Sequence, residues 1–150
     1  MIIQRINRTN PEKVFIVCRN DDTVMTKGAT VVFTFDATRD GLDIVKSVTG
    51  AAAKSNLAAG IVDTALAAGA YGLVQCYGVR TDAIYLKCGT ASDSAGVIGD
   101  AMCLDTANDG LSGTAAGAVA EYFPGFVMGE TMATSSATVT TTGTVFIRLL

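Results

Sequence analysis

Histidine and tryptophan are absent from this 150-residue chain, and proline occurs only twice. Without histidine the commonest general acid–base group is missing, and with it the usual nitrogen ligand of mixed zinc sites. Any catalysis would have to rest on carboxylates, cysteine, lysine or tyrosine. Cysteine is scarce too: four residues at positions 18, 76, 88 and 103, with no pair at the short spacing of a zinc site. Cys18 follows Val14 and Ile16 on one strand face, and Cys88 follows Ile84 and Leu86 in the same way. All four therefore read as reduced, small buried hydrophobes. Cys88 follows Lys87, but neighbours on a strand point to opposite faces, so the lysine does not activate it. No Gly-x-Ser-x-Gly elbow, phosphate loop or dinucleotide fingerprint is present.

Charge of either sign is also limited. The net charge of −3 is too weakly acidic for bulk attraction to a nucleic acid. Its distribution is uneven: residues 1–54 hold eight Lys/Arg and six Asp/Glu, and residues 55–150 hold three and eight. The basic excess lies at the start, where Arg5, Arg8, Lys13 and Arg19 face only Glu12. No apolar run reaches the roughly 20 residues of a bilayer-spanning helix, and Arg5 and Arg8 interrupt the apolar start where a secretory leader would lie. A reducing cytoplasm fits both this and the unpaired cysteines. Asp105, Asn108 and Asp109 form an oxygen-rich group, but without the ligand spacing of a calcium loop they read as a solvated turn.

What the chain does have is small residues and β-branched strands. Of its hydrophobic residues, 22 are alanine, which predicts close backbone approach more than bulky packing. At this length one domain suffices, with no need of a disulfide or metal to fold. Pro11 disfavours helix at Asn10, so residues 1–12 read as an extended N-terminal arm and 13–150 as one domain. Lys13 to Cys18 and Thr30 to Phe35, with Asn20-Asp21-Asp22 between them, look like a hairpin. Ile44, Val45, Val48 and Ala52 fit a short helix or a strand with equal ease, and the same ambiguity touches Ile61, Val62, Ala65 and Leu66.

From Gly72 onward the strands are Leu73 to Tyr77, Ala83 to Cys88, Val97 to Leu104, Val119 to Met128 and Val139 to Leu149, the last with Val145, Ile147 and Leu149 on one face. The fold class is all-β: a compact sandwich or small barrel with at most one or two short helices. No internal repeat stands out beyond this general rhythm.

The stretch Gly60 to Gly78, GIVDTALAAGAYGLVQCYG, reads as a glycine-punctuated turn at Gly69 and Gly72 entering a half-buried strand in which Gln75 and Tyr77 alternate with Val74 and Cys76. It resembles a segment recurrent in head decoration, or cement, proteins of tailed bacteriophages. The likeness extends loosely over residues 23–150, through Thr26-Lys27-Gly28-Ala29-Thr30-Val31-Val32 upstream and a Thr/Ser/Ala-rich run into Val145-Phe146-Ile147-Arg148-Leu149 downstream.

The resemblance implies a virion structural protein on the capsid exterior, assembled in the host cytoplasm without catalysis, cofactor or metal. It implies the major capsid protein and further copies of this chain, as a homotrimer, as partners, and neither nucleic acid nor membrane. Candidate contacts are Ile2, Ile3, Arg5, Arg8 and Lys13 at the start, and Tyr122, Phe123 and Phe126 in the densest aromatic cluster. Tyr77, Tyr85 and Tyr122 read as packing residues. A phage tail or fibre-associated binding module is the alternative, and an enzyme of unrecognised type the second.

Overall fold

The computed structural model describes residues 12–34, 42–47, 57–86, 98–99, 101–104, 110–113, 125–129 and 140–149. These residues form nine strands and no helical element: β1 (Val14–Asn20), β2 (Thr30–Phe33), β3 (Asp43–Lys46), β4 (Ala58–Val62), β5 (Tyr71–Leu86), β6 (Met102–Leu104), β7 (Leu111–Gly113), β8 (Phe126–Met128) and β9 (Thr140–Arg148). The fold is all-β, as the strand-and-turn rhythm predicts. Of the two ambiguous segments, Ile44 and Val45 lie in β3 and Ile61 and Val62 in β4, while Val48 and Ala52 lie outside the described residues.

Strands β1-β3-β2-β4-β5 follow one another side by side, and β1 also pairs β5, which closes a five-stranded barrel. The expected hairpin is absent. β1 pairs β3 in parallel and β5 antiparallel, whereas β2 pairs β3 and β4. The turn after β1 does not fold it back on β2; β3 lies between the two strands and pairs both.

The same crossing exposes a repeat that the sequence rhythm conceals. Asp22-Thr23-Val24-Met25-Thr26-Lys27-Gly28-Ala29 and Asp63-Thr64-Ala65-Leu66-Ala67-Ala68-Gly69-Ala70 adopt one backbone pattern. In each, the alanine N–H donates to the carbonyl three residues back, Thr26 and Ala67 respectively, and the glycine before it has positive φ, 85° at Gly28 and 74° at Gly69. Met25 and Leu66 exchange both backbone hydrogen bonds at 2.9 Å, while Gly28 donates to Val62 and Gly69 to Asn20. Val62 donates to Ala29, and Asn20 to Ala70. Each turn thus closes over the other's strand, and the two turns with their flanking strands, β1 and β2 on one side and β4 and β5 on the other, follow an approximate two-fold relation about the Met25–Leu66 bridge, which β3, lying between β1 and β2, does not share.

Both bridge side chains are buried in the barrel interior with Cys18, Val31, Ile44, Ala59, Val62 and Val74. Burying side chains of this size contributes about 1.5–3 kcal/mol each.

β5 is far longer than its partners, and its 16 residues serve two layers. Its first half closes the barrel against β1 and β4. After a register shift between Arg80 and Ala83, its second half pairs β9 and β7. β6 pairs β7, β8 pairs β9, and an isolated bridge between Ala101 and Val127 brings this second layer back on itself. The sequence reading ends one strand at Tyr77 and begins the next at Ala83; in the folded chain the intervening residues belong to one continuous strand, with an irregularity between Arg80 and Ala83.

A second core lies between the layers, built from Ala58 and Ile61 of β4, Ala83 of β5, and Met102, Leu111, Phe126, Val145 and Ile147. Leu149 packs against it, so Val145, Ile147 and Leu149 share a face as their alternation predicts.

Candidate functional site

The approximate two-fold symmetry makes the outer surfaces of the barrel comparable. Across β1 and β5, Arg19 pairs Tyr71, Cys18 pairs Gly72 and Val17 pairs Leu73. Across β4 and β2, Ile61 pairs Thr30, Gly60 pairs Val31 and Ala58 pairs Val32. Of each trio the middle pair faces the barrel interior and the flanking pairs face outward. On the β2–β4 side the outward residues are covered: Thr30, Ile61 and Val32 are buried, Ala58 and Ile61 belong to the second core, and the Thr30 hydroxyl donates to the Gly110 carbonyl at 2.8 Å.

On the β1–β5 side their counterparts are bare. Tyr71 is 66% exposed, Val17 55%, Leu73 44% and, one step along β1, Phe15 36%. Directly opposed residues and residues two apart on a strand project from the same face. These four side chains are therefore one contiguous apolar patch. Arg19 at its end is occupied by Asp21 at 3.0 Å and Asp43 at 3.5 Å.

A second feature lies where β5 leaves the barrel. Arg80 is a buried arginine, its side chain 4% exposed. It donates to the Asp63 carboxylate at 2.6 Å, to the Asp63 carbonyl at 3.1 Å, and to Asp82. Lys27 reaches the other Asp82 oxygen at 2.8 Å. Burial raises the Asp82 pKa, but hydrogen bonds and charge from Lys27 and Arg80 outweigh that and hold the carboxyl below its ordinary value. The cluster joins both copies of the turn, through Lys27 and Asp63, to the irregular step of β5. Its chemistry is that of a clamp: two cations and two anions in mutual contact leave no charge over for a ligand.

The described thiols offer no nucleophile. Burial, and secondarily the neighbouring Cys76, pushes Cys18 up to about 11, and burial likewise raises Cys76. Both are free and buried, in keeping with small core residues. Among the described residues there is no cluster of His, Cys, Asp or Glu suited to a metal ion.

Gln75 is fully buried, unlike the half-exposed residue its alternation with Val74 predicts. Its Nε2 donates to the carbonyls of Tyr77 and Val79, and its Oε1 has no hydrogen-bond partner among the described residues. Tyr77 packs edge-on to Phe146 with ring centroids 5.6 Å apart.

Of the contacts the sequence nominates, Ile2, Ile3, Arg5, Arg8, Tyr122 and Phe123 lie outside the described residues, as do Cys88 and the Asp105–Asp109 turn. Lys13 is exposed immediately before β1. Phe126 is corrected: it is 1% exposed, at the centre of the second core, and packing has consumed the ring that a contact would use. Phe15, Val17, Tyr71 and Leu73 were not nominated. Their signal was present, since Val14-Phe15-Ile16-Val17-Cys18 is apolar on both strand faces where a half-buried strand would alternate with polar residues. No protein-family model and no curated protein matches the chain.

Proposed function

We propose that this protein is a non-catalytic virion component that binds the outside of a bacteriophage capsid and stabilises it by bridging major capsid subunits. The observation that carries the reading is the apolar strand face of Phe15, Val17, Tyr71 and Leu73, left bare on a barrel whose equivalent face is covered. Exposed and apolar, it suits contact with protein rather than enclosure of a small molecule. The resemblance to decoration proteins supports the same reading. Its Gly60 to Gly78 block spans the end of β4, the second turn and the first half of β5.

Repetition of the capsid lattice multiplies a modest contact into firm attachment when linked copies engage together. The test is to mix the purified protein with expanded shells lacking decoration. The expected result is saturation near the number of capsid subunits, weak binding to unassembled subunits, and a higher disruption temperature for decorated shells. Equal affinity for free subunits, or saturation at a few copies per particle, would favour a tail-associated module.

A further inference from the structure

The repeated turn puts Thr30 and Tyr71 at equivalent positions. Each directly follows the alanine that closes its turn, Ala29 or Ala70, and each opens the strand that leaves it, β2 or β5. Thr30 pairs Ile61 across the covered face, and Tyr71 pairs Arg19 across the bare one. Thr30 shows what such a position does when a β-layer lies over it: it is fully buried, and its hydroxyl donates at 2.8 Å to the carbonyl of Gly110, the residue before β7. Tyr71 carries the same donor on a ring that is 66% exposed. Resting on the capsid reading above, we propose that a β-layer of the major capsid subunit covers the β1–β5 face, with Tyr71 as its anchor. The ring packs among the layer's apolar side chains, and the hydroxyl donates to one of its backbone carbonyls, as Thr30 does to Gly110.

The covered face defines the partner's chemistry. What covers it is a β-layer bearing Leu111, Val145, Ile147 and the ring of Phe126, and Phe15, Val17 and Leu73 offer the same apolar contact on the bare face. The phenol carries its hydroxyl further from the barrel than a threonine does, so a sheet at the ordinary face-to-face spacing of about 10 Å presents its backbone within reach. Tyrosine is also among the side chains that dominate protein contacts when neighbouring residues exclude water around them. Leu73, two residues along β5 on the same face, and Val17 opposite it on β1 are placed to do so.

Size favours a repeated lattice over a single soluble partner. The four side chains expose on the order of 350 Å², taking a whole aromatic residue at about 200 Å², against the roughly 800 Å² per partner of a stable one-to-one complex. A patch of this area holds a lone subunit weakly. It holds an assembled shell firmly, because linked copies engage several equivalent junctions at once.

The experiment measures co-sedimentation of the full chain with undecorated expanded shells across a wide concentration range, for the wild type, Tyr71→Phe, Tyr71→Ala and Val24→Ala. Tyr71→Phe keeps the ring and removes only the hydroxyl. Val24 is 60% exposed in the first turn, off the face, so its truncation is the control. Far-UV circular dichroism and thermal midpoints establish that each variant folds, and sedimentation equilibrium without shells follows its oligomeric state.

The expected result is shell affinity lowered at least about fivefold by Tyr71→Phe, the worth of one hydrogen bond, and at least about thirtyfold by Tyr71→Ala. Val24→Ala should bind as the wild type does, and all four proteins should share one oligomeric state. Wild-type binding to shells that Tyr71→Phe leaves unchanged would overturn the proposal while the capsid reading stands. A wild type that ignores shells would overturn both. Self-association lost in Tyr71→Ala would give the face to a second copy and overturn the proposal as well.

Discussion

Replacing Gly28 by alanine should destabilise this protein far more than the same change at Gly69, although the two glycines occupy one position of a repeated turn. Their φ values, 85° and 74°, are both left-handed, and holding an L-residue there costs about 1–2 kcal/mol. Some of that is offset by the reduced freedom of alanine in the unfolded chain, about 0.4–1 kcal/mol. At Gly69 little else is added, since a Cβ would meet only the Arg19 side chain, at 3.8 Å. The expected cost is about 1 kcal/mol.

At Gly28 the Cβ would collide with the Asp82 backbone carbonyl and press on Ile84. Neither can yield easily, because the Ile84 N–H donates to the Gly28 carbonyl at 2.9 Å and Asp82 is held by Arg80 and Lys27. Forcing a methyl into such a contact adds about 1–3 kcal/mol or more, for a total of about 3 kcal/mol. Urea unfolding measures both, and at roughly 2–4 °C per kcal/mol the thermal midpoints should differ by about 5 °C. Equal losses at the two positions would refute the close approach of β5 to the first turn.

The ion cluster gives an ordered pair of outcomes. Asp63→Asn with Asp82→Asn strips buried Arg80 of both carboxylates and should cost about 3–5 kcal/mol in urea melts, whereas Arg80→Met leaves two partly hydrated carboxylates and should cost about 1 kcal/mol or less; the reverse ranking would sink the clamp. Asp82, held below its ordinary pKa, contributes stability present above its unfolded value of about 3.9 and lost as pH falls through its lower folded value. The difference in thermal midpoint between wild type and Asp82→Asn should therefore be widest at neutral pH and close below about pH 4; a gap unchanged at pH 3 would count against it. Cys18, pushed up to about 11, should resist a thiol reagent at pH 8 until the protein unfolds, and Cys18→Ala should cost about 1–2 kcal/mol from lost packing; rapid labelling of Cys18 in the native protein, located by peptide mass mapping, would contradict its burial.

Much of this architecture is written in local chemistry. The Gly69 turn follows from a glycine at the end of an apolar segment, and the face shared by Val145, Ile147 and Leu149 follows from alternation along β9. What local chemistry hides is partnership. Asn20-Asp21-Asp22 has the composition of a hairpin turn, yet β1 and β2 part there: β3 inserts between them, and their other partners, β5 and β4, come from later in the chain. The stretch between Tyr77 and Ala83, with Gly78 and Asp82, likewise has the composition of a break, but its aspartate is tied to Lys27 and Arg80 inside one continuous strand. Phe126 sits in an aromatic cluster that composition alone places equally well at a surface or a core. The repeat is hidden in the sequence because Met25 is answered by leucine and Lys27 by alanine, and because Asp21 is an extra residue that shifts the strands relative to the turns.

The divergence between the two copies follows their surroundings. Where a second layer lies against the barrel, the outward positions hold Thr30, Val32, Ala58 and Ile61, small or aliphatic residues that a neighbouring sheet can cover; Thr30 has its hydroxyl satisfied by Gly110. At the equivalent positions of the other half stand Tyr71, Leu73, Val17 and Arg19. If that half simply faced water, its positions would carry polar side chains at no cost to the barrel, since none contributes to the interior. Instead three of the four are apolar, and the one cation among them, Arg19, is engaged by Asp21 and Asp43. An apolar face that the interior does not require needs a separate physical cause, and burial against another protein surface supplies one.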